Sequence, residues 1–154
     1  MNIKIEKYQT KYKNELLNVW EKSVLATHGF LKDHDFISIR KMLREMDFET
    51  LTVFCLINES NVIGFIGLDK TKIEMLFLDP DHIGKGLGKQ LIEFALLNFN
   101  ADSVDVNEQN VHAVEFYKKL GFETFERTEK DNSGKRYPLL KMRLTNRNKN
   151  KKII

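Results

Sequence analysis

Three glycines in alternation, Gly84, Gly86 and Gly88, separate an apolar strand-like run at residues 73–78 from an apolar helical run that extends to about Phe99. No other segment limits the fold as much. Glycine lets the backbone bend tightly and lets a ligand approach the main chain. A helix that begins there presents free N–H groups and the positive end of its dipole, which together form an anion site. Lys85 and Lys89 add positive charge, so a phosphate or pyrophosphate fits the chemistry. The alternative is a glycine-rich helix start that serves chain geometry alone. Two familiar phosphate motifs do not fit. A P-loop needs G-x-x-x-x-G-K-[ST], but Ile83 stands at its first glycine and Gln90 follows Lys89. A dinucleotide fingerprint needs G-x-G-x-x-G early in a βαβ unit, and here the spacing is G-x-G-x-G, late in the chain and after a hairpin.

The rest of the chain gives the frame for that turn. Residues 3–8 alternate as a short strand. Tyr12, Leu16, Val19, Trp20 and Val24 recur on one helical face, and the helix fails near Thr27-His28-Gly29. A second helix is expected from about Asp33, with Phe36, Ile39, Leu43 and Met46 inward. Residues 51–57 and 62–68 read as a hairpin, in which Gly64 and Gly67 mark a close backbone approach or a bulge. The strand at 73–78 is mostly apolar on both faces, as a central strand would be. After the glycine turn come a helix, a short strand at 103–106, and a helix at 110–120 closed by Gly121. Two last strands, 122–127 and 137–144, flank a turn at Asp131-Asn132-Ser133-Gly134. The order β-α-α-β-β-β-α-β-α-β-β predicts an α/β (α+β) domain over residues 1–145, with a mixed sheet and helices on both faces.

Composition excludes several classes. With 42% hydrophobic and 31% charged residues over 154 positions, the chain suits a globular domain. Its apolar runs reach about half of the ~20 residues that span a bilayer, and residues 1–8 lack a signal-peptide core, so a cytoplasmic protein without a membrane partner is expected. A single cysteine excludes an internal disulfide and a multi-cysteine zinc site, and the four histidines show no ligand spacing, so no metal is expected. Cys55, between Phe54 and Leu56, reads as a buried structural thiol. The 25 Lys plus Arg against 22 Asp plus Glu leave +3, much of it in the polar tail at 146–154. A near-neutral body does not suit a dedicated nucleic-acid binder.

Two segments carry a family resemblance. The strand at 73–78, Leu78-Asp79-Pro80 and Gly84-Lys85-Gly86-Leu87-Gly88-Lys89 resemble motif A of the GNAT N-acetyltransferase superfamily, written [QR]-x-x-G-x-[GA]. Gly86 and Gly88 match its small positions, and Ile83 stands where Gln or Arg is usual. Asp105-Val106-Asn107-Glu108-Gln109-Asn110 and Ala113-Val114-Glu115-Phe116-Tyr117-Lys118-Lys119-Leu120-Gly121-Phe122 resemble motif B, with its core N-x-x-A-x-x-F-Y-x-x-x-G-F. Ser23-Val24-Leu25-Ala26-Thr27-His28-Gly29-Phe30-Leu31 and Tyr137-Pro138-Leu139-Leu140 are similar to a subgroup of small bacterial members.

The resemblance implies a mostly antiparallel sheet of about seven strands, acetyl-CoA as co-substrate, and direct acetyl transfer to a primary amine in a ternary complex. It implies that the central strand splays from its neighbour after Ser103, with the pantetheine arm along Leu76, Phe77 and Leu78. The amides of Ile83, Gly84, Lys85, Gly86, Leu87, Gly88 and Lys89 would hold the pyrophosphate. Asn107 and Asn110 fall beside the same arm, although Asn110 also reads as an ordinary N-cap. Tyr117 would donate to the departing sulfur; a phenol of pKa ~10 is protonated at neutral pH and suits that task, while spacing alone makes it a core aromatic. Glu74 would be the base if it is buried with a raised pKa, and otherwise a strand charge in a surface pair. His28 is the second candidate base. It also falls with Phe30 and Tyr137 among the residues expected at the acceptor pocket. The acceptor is a small-molecule or protein amine, and the chain a monomer or homodimer. A non-catalytic acyl-CoA sensor on the same scaffold is the rival reading, and a nucleic-acid binder using the basic tail is the third.

Overall fold

A computed structural model of the chain describes residues 2–145; the basic tail at 146–154 lies outside the described residues. Strand β1 (Ile3–Lys7) leads through a 3-10 turn (Thr10–Tyr12) into α1 (Lys13–Thr27) and then α2 (Asp33–Glu45). Strands β2 (Thr52–Asn58), β3 (Asn61–Asp69) and β4 (Lys72–Leu78) follow as a meander. Helix α3 (Leu87–Phe99), β5 (Ser103–Asn107), α4 (Val111–Lys119), β6 (Phe122–Thr128) and β7 (Leu139–Leu144) complete the domain. The seven strands form one sheet in the order β1-β2-β3-β4-β5-β7-β6. Only the β4–β5 pair is parallel. The element order and the mostly antiparallel sheet are those expected.

Period-two alternation sends side chains to two cores. On one face, Leu16, Val19, Trp20 and Val24 of α1 pack against Val53, Cys55, Ile57 and Phe65. On the other, Leu87, Leu91, Ile92 and Ala95 of α3 and Val114 and Tyr117 of α4 pack against Leu56, Ile66, Ile73, Val104 and Met142. Leu91 and Ile92 are fully buried. Truncating a side chain so placed costs about 2–5 kcal/mol, so α3 is firmly seated and its N-terminus is held in place. Among the described residues no helix is long and apolar enough to cross a membrane.

The feature that shapes the site is in β4. Met75 pairs with Gly67 and Ile73 with Leu68, which leaves Glu74 as the extra residue of a bulge. A bulge bends its strand and strengthens the local twist. Accordingly, β4 pairs with β5 only at Lys72↔Ser103 and Ile73↔Val104. Beyond that point β5 stays on β7, and the two parallel strands part. Gly64 and Gly67 lie at close approaches: an added Cβ would lie 3.1 Å from the Phe77 carbonyl oxygen at Gly64, and 2.6 Å from Met75 Cε, the end of a flexible side chain that would have to move, at Gly67.

Candidate active site

The parting of β4 and β5 opens a groove of about 360 Å³. Leu76, Phe77 and Leu78 form one wall, Asn107 and Asn110 stand on the other side, and Phe116 and Tyr117 of α4 close it. Past the Ile73↔Val104 pair the β5-facing edge of β4 has no ladder partner, so main-chain groups are available there to an extended ligand.

At one end of the groove the chain passes through Ile83 and Gly88, both of which line it, into α3. Gly84 has φ +85° and Gly86 φ +75°, the left-handed region that glycine tolerates. Gly86 is the N-cap of α3 and supplies no side-chain cap. The first turn bond in this helix runs from Gln90 N–H to the Gly86 carbonyl. The N–H groups of Gly84, Lys85, Gly86, Leu87, Gly88 and Lys89 therefore take no partner among the described residues. Orphan donors at a helix start, with the dipole behind them, suit an anion. Ile83 donates its own N–H to the Pro80 carbonyl at 3.3 Å, so its amide is the one member of the expected cradle that is already engaged. Its side chain is exposed. Gly88 is small for a packing reason: a Cβ there would sit 3.3 Å from Phe116 Cζ.

Tyr117 is both a core residue and a groove residue. Its ring meets Phe116 at 5.1 Å and Phe122 at 5.4 Å, each nearly edge-on. The hydroxyl takes no hydrogen bond from the described residues, and burial pushes the phenol's pKa up. Asn110 is indeed an N-cap, its Oδ1 accepting from Ala113 N–H at 3.3 Å, and it lines the groove as well. Asn107 Oδ1 accepts from Gln109 N–H at 3.0 Å. Cys55 is fully buried with its thiol pushed up to about 12 by burial, and lies outside the groove.

A second cavity, of about 750 Å³, lies beside the first and is lined mainly by apolar side chains, among them Trp20, Leu31, Ile39 and Met46. His28, Glu74, Met75 and Phe77 line both cavities and form the wall between them. The two titratable members of that wall differ. Of the two readings of Glu74, the structure has the strand charge in a surface pair and not the buried carboxylate. The bulge turns it outward, its side chain is 41% exposed, and Lys72 Nζ lies 3.5 Å away. Lys72 is also bound to Asp105 at 2.8 Å, and Lys141 approaches Asp105 at 3.7 Å. His28 caps the C-terminus of α1 and is half-buried, and burial lowers its imidazole pKa.

Phe30 and Tyr137 do not line either cavity; they support His28 from behind. His28 and Phe30 rings are 5.2 Å apart, and Phe30 and Tyr137 rings 6.2 Å apart. The Tyr137 hydroxyl donates to Asp35, a buried carboxylate that Lys135 Nζ approaches at 3.0 Å, and accepts from Lys32 N–H at 3.1 Å. Sequence reading missed Asp35, which shows there only as an acidic residue in a helix's first turn. It also missed Thr27 as a partner of His28, and Phe116 as a groove wall.

A sheet split beside a helix start with six unpaired N–H groups, and a buried tyrosine across the split, form a groove whose geometry suits an extended phosphate-bearing molecule. The acetyltransferase (GNAT) domain family matches residues 18–145, and the chain belongs to that family. It is 36% identical over 142 residues to the peptidyl-lysine N-acetyltransferase YjaB of Salmonella typhimurium, covering 92% of this chain and 98% of that protein. The solution structure of apo-form YjaB from Escherichia coli superposes with a TM-score of 0.87 at 36% identity, over 94% of this chain and 99% of that one. The PaiA N-acetyltransferase of Thermoplasma acidophilum, solved in complex with coenzyme A, shares the fold at a TM-score of 0.70 and 22% identity, over 94% and 99% of the two chains. The chain is thus a GNAT acetyltransferase, as the two sequence motifs implied.

Proposed function

We propose that the protein transfers an acetyl group from acetyl-CoA to a primary amine, the side chain of a lysine in a protein or peptide, directly within a ternary complex. The observation that carries this is the continuity of the orphan N–H cradle with the β4–β5 groove and its closure at Tyr117. Bound acetyl-CoA supplies an activated thioester. The amides of residues 84–89 bind its pyrophosphate, with Lys85 and Lys89 adding charge, and the free edge of Leu76, Phe77 and Leu78 holds its arm in line. Asn107 and Asn110 border that arm. Tyr117 O–H donates a proton to the departing sulfur, and the phenolate recovers it as the acceptor nitrogen sheds its second proton. Burial favours the protonated phenol that this role requires.

The acceptor enters from the second cavity. Lysine is favoured over a small polar amine because the walls there are apolar and suit a four-carbon stem, and because the similar YjaB proteins are named for peptidyl-lysine. Calorimetric titration with acetyl-CoA, against ATP and NAD, tests the cofactor, and mass spectrometry of a lysine peptide incubated with protein and acetyl-CoA tests the transfer. Binding of acetyl-CoA with a gain of one acetyl group on lysine is expected. Binding with no acetylated amine of any class would favour the acyl-CoA sensor.

A further inference from the structure

We propose that His28 takes the proton from the acceptor's ammonium through Nε2, and that Thr27 is the positioning residue that fixes its tautomer; this rests on the acetyl-transfer reading above. One hydrogen decides the tautomer. The Thr27 hydroxyl donates to the Ser23 carbonyl oxygen at 2.7 Å. The same hydroxyl oxygen lies 2.7 Å from His28 Nδ1. A hydroxyl has a single hydrogen, so only lone pairs remain for the second contact, and Nδ1 must carry the proton. In a neutral imidazole the other nitrogen is then bare. Nε2, on the far edge of the ring, takes no partner from the described residues.

The ring is held as a proton acceptor should be. His28 N–H donates to the Val24 carbonyl at 2.8 Å, and the His28 carbonyl accepts from Leu31 N–H at 2.9 Å. The Phe30 ring packs beside it, 5.2 Å away and tilted by 46°. Burial lowers the pKa of the imidazole, which favours the neutral ring. The negative end of the α1 dipole favours the imidazolium once it forms.

His28 is also in the right place. The wall between the two cavities holds two titratable groups, and Glu74 is solvated and ion-paired with Lys72. An ammonium entering the apolar cavity loses water, which lowers its pKa and narrows the gap between amine at ~10.4 and imidazole at ~6.5. The ammonium N–H bond breaks, the Nε2–H bond forms, and the nitrogen lone pair becomes free to attack. The imidazolium then returns its proton to water. The other titratable or charged groups around these cavities are Glu74 of β4, Asp105 of β5, His112 and Tyr117 of α4, and Asp69 and Lys70 at the β3–β4 turn.

The test has two arms. Nitrogen NMR of the histidine rings at neutral pH reads the tautomer without any substrate: Nδ1 protonated and Nε2 bare is expected, and the reverse overturns the proposal. In the second arm, His28→Gln is compared with the wild type and Glu74→Gln, using acetyl-CoA and a lysine peptide. His28→Gln should bind acetyl-CoA within about threefold of the wild type, lose roughly 10²–10³ in kcat, and lose the acidic limb of the pH–rate profile. Glu74→Gln should keep that limb. A His28→Gln protein that keeps the limb and turns over within threefold of the wild type overturns the role of His28 alone. A wild-type protein that binds no acetyl-CoA, or acetylates no amine, overturns the acetyl-transfer reading and this proposal with it.

Discussion

The Tyr137 hydroxyl donates to the carboxylate of Asp35, 102 residues away in sequence. This bond joins the start of α2 to the loop between β6 and β7. Because Phe30 lies between Tyr137 and His28, it also sets the back of the wall that divides the two cavities. Removing the hydroxyl with Tyr137→Phe leaves Lys32 N–H without its acceptor and Asp35 with Lys135 as its main partner. A fall in Tm of roughly 2–4 °C is expected, with a rise in the acceptor's KM larger than any change in acetyl-CoA affinity. Thermal melting and calorimetry check the pair; an unchanged Tm and KM would show that the bond carries nothing.

The same bond makes stability depend on pH at both ends. The Tyr137 hydroxyl, and then Lys135, hold the Asp35 carboxyl below its ordinary range. Its stabilising effect is therefore present above the unfolded value near 3.9 and is lost as pH falls through the lower folded value. Burial, and then Asp35, push the Tyr137 phenol up, so its share is present below pH ~10 and is lost as pH climbs through the raised value. Asp35→Asn should flatten the acid limb of urea midpoints measured from pH 5 to pH 2. An acid limb as steep as that of the wild type would assign it to other carboxylates.

Gly86 tests the anion cradle separately from packing. Its φ is +75°, yet an added Cβ would meet nothing within 4 Å. Gly86→Ala therefore changes only the backbone preference, at about 1–2 kcal/mol for a left-handed alanine. If the loop relaxes to escape that cost, the orphan N–H groups lose their shared direction. Acetyl-CoA affinity should drop tenfold or more while the core stays intact. Calorimetry showing unchanged affinity would mean that the amides of residues 84–89 do not bind the pyrophosphate.

What the sequence made legible was local. The alternate glycines, the N-cap at Asn110 and the strand periodicities each lie within a dozen residues, and each is where it was expected. Gly64 and Gly67 pointed to a bulge or a close approach, and both occur. That the extra residue is Glu74 depends on cross-strand register, which residues 73–75 do not reveal by themselves. The exposure of Glu74 follows from that bulge, so the choice between a buried base and a surface pair was not legible in the sequence for the same reason. Asp35 and Tyr137 meet only through tertiary structure, and neither belongs to a short motif. Tyr137 stood out through a resemblance, which gave its neighbourhood but not its partner.

Cys55 provides a test of the direct-transfer route. The thiol is fully buried beneath α1 and pushed up to about 12, so almost no thiolate exists at neutral pH. Incubation with acetyl-CoA in the absence of acceptor should leave the intact mass of the protein unchanged, and Cys55→Ala should retain turnover within a few-fold. An acetylated protein that passes its acetyl group to an amine would replace the ternary route with a covalent one.

Tyr117 separates proton donation from packing. In Tyr117→Phe the ring keeps its edge-on contacts with Phe116 and Phe122, so the core loses no volume. The hydroxyl has no partner among the described residues whose loss would destabilise the fold. Stability and acetyl-CoA affinity should therefore stay close to wild type. Turnover should fall by roughly 10²-fold, the scale of a general acid. The deficit should shrink with an acyl donor whose thiol leaves more readily, because such a group needs less protonation as it departs. Turnover of Tyr117→Phe equal to that of the wild type on a lysine peptide would leave Tyr117 as a core aromatic and move proton donation to water in the groove.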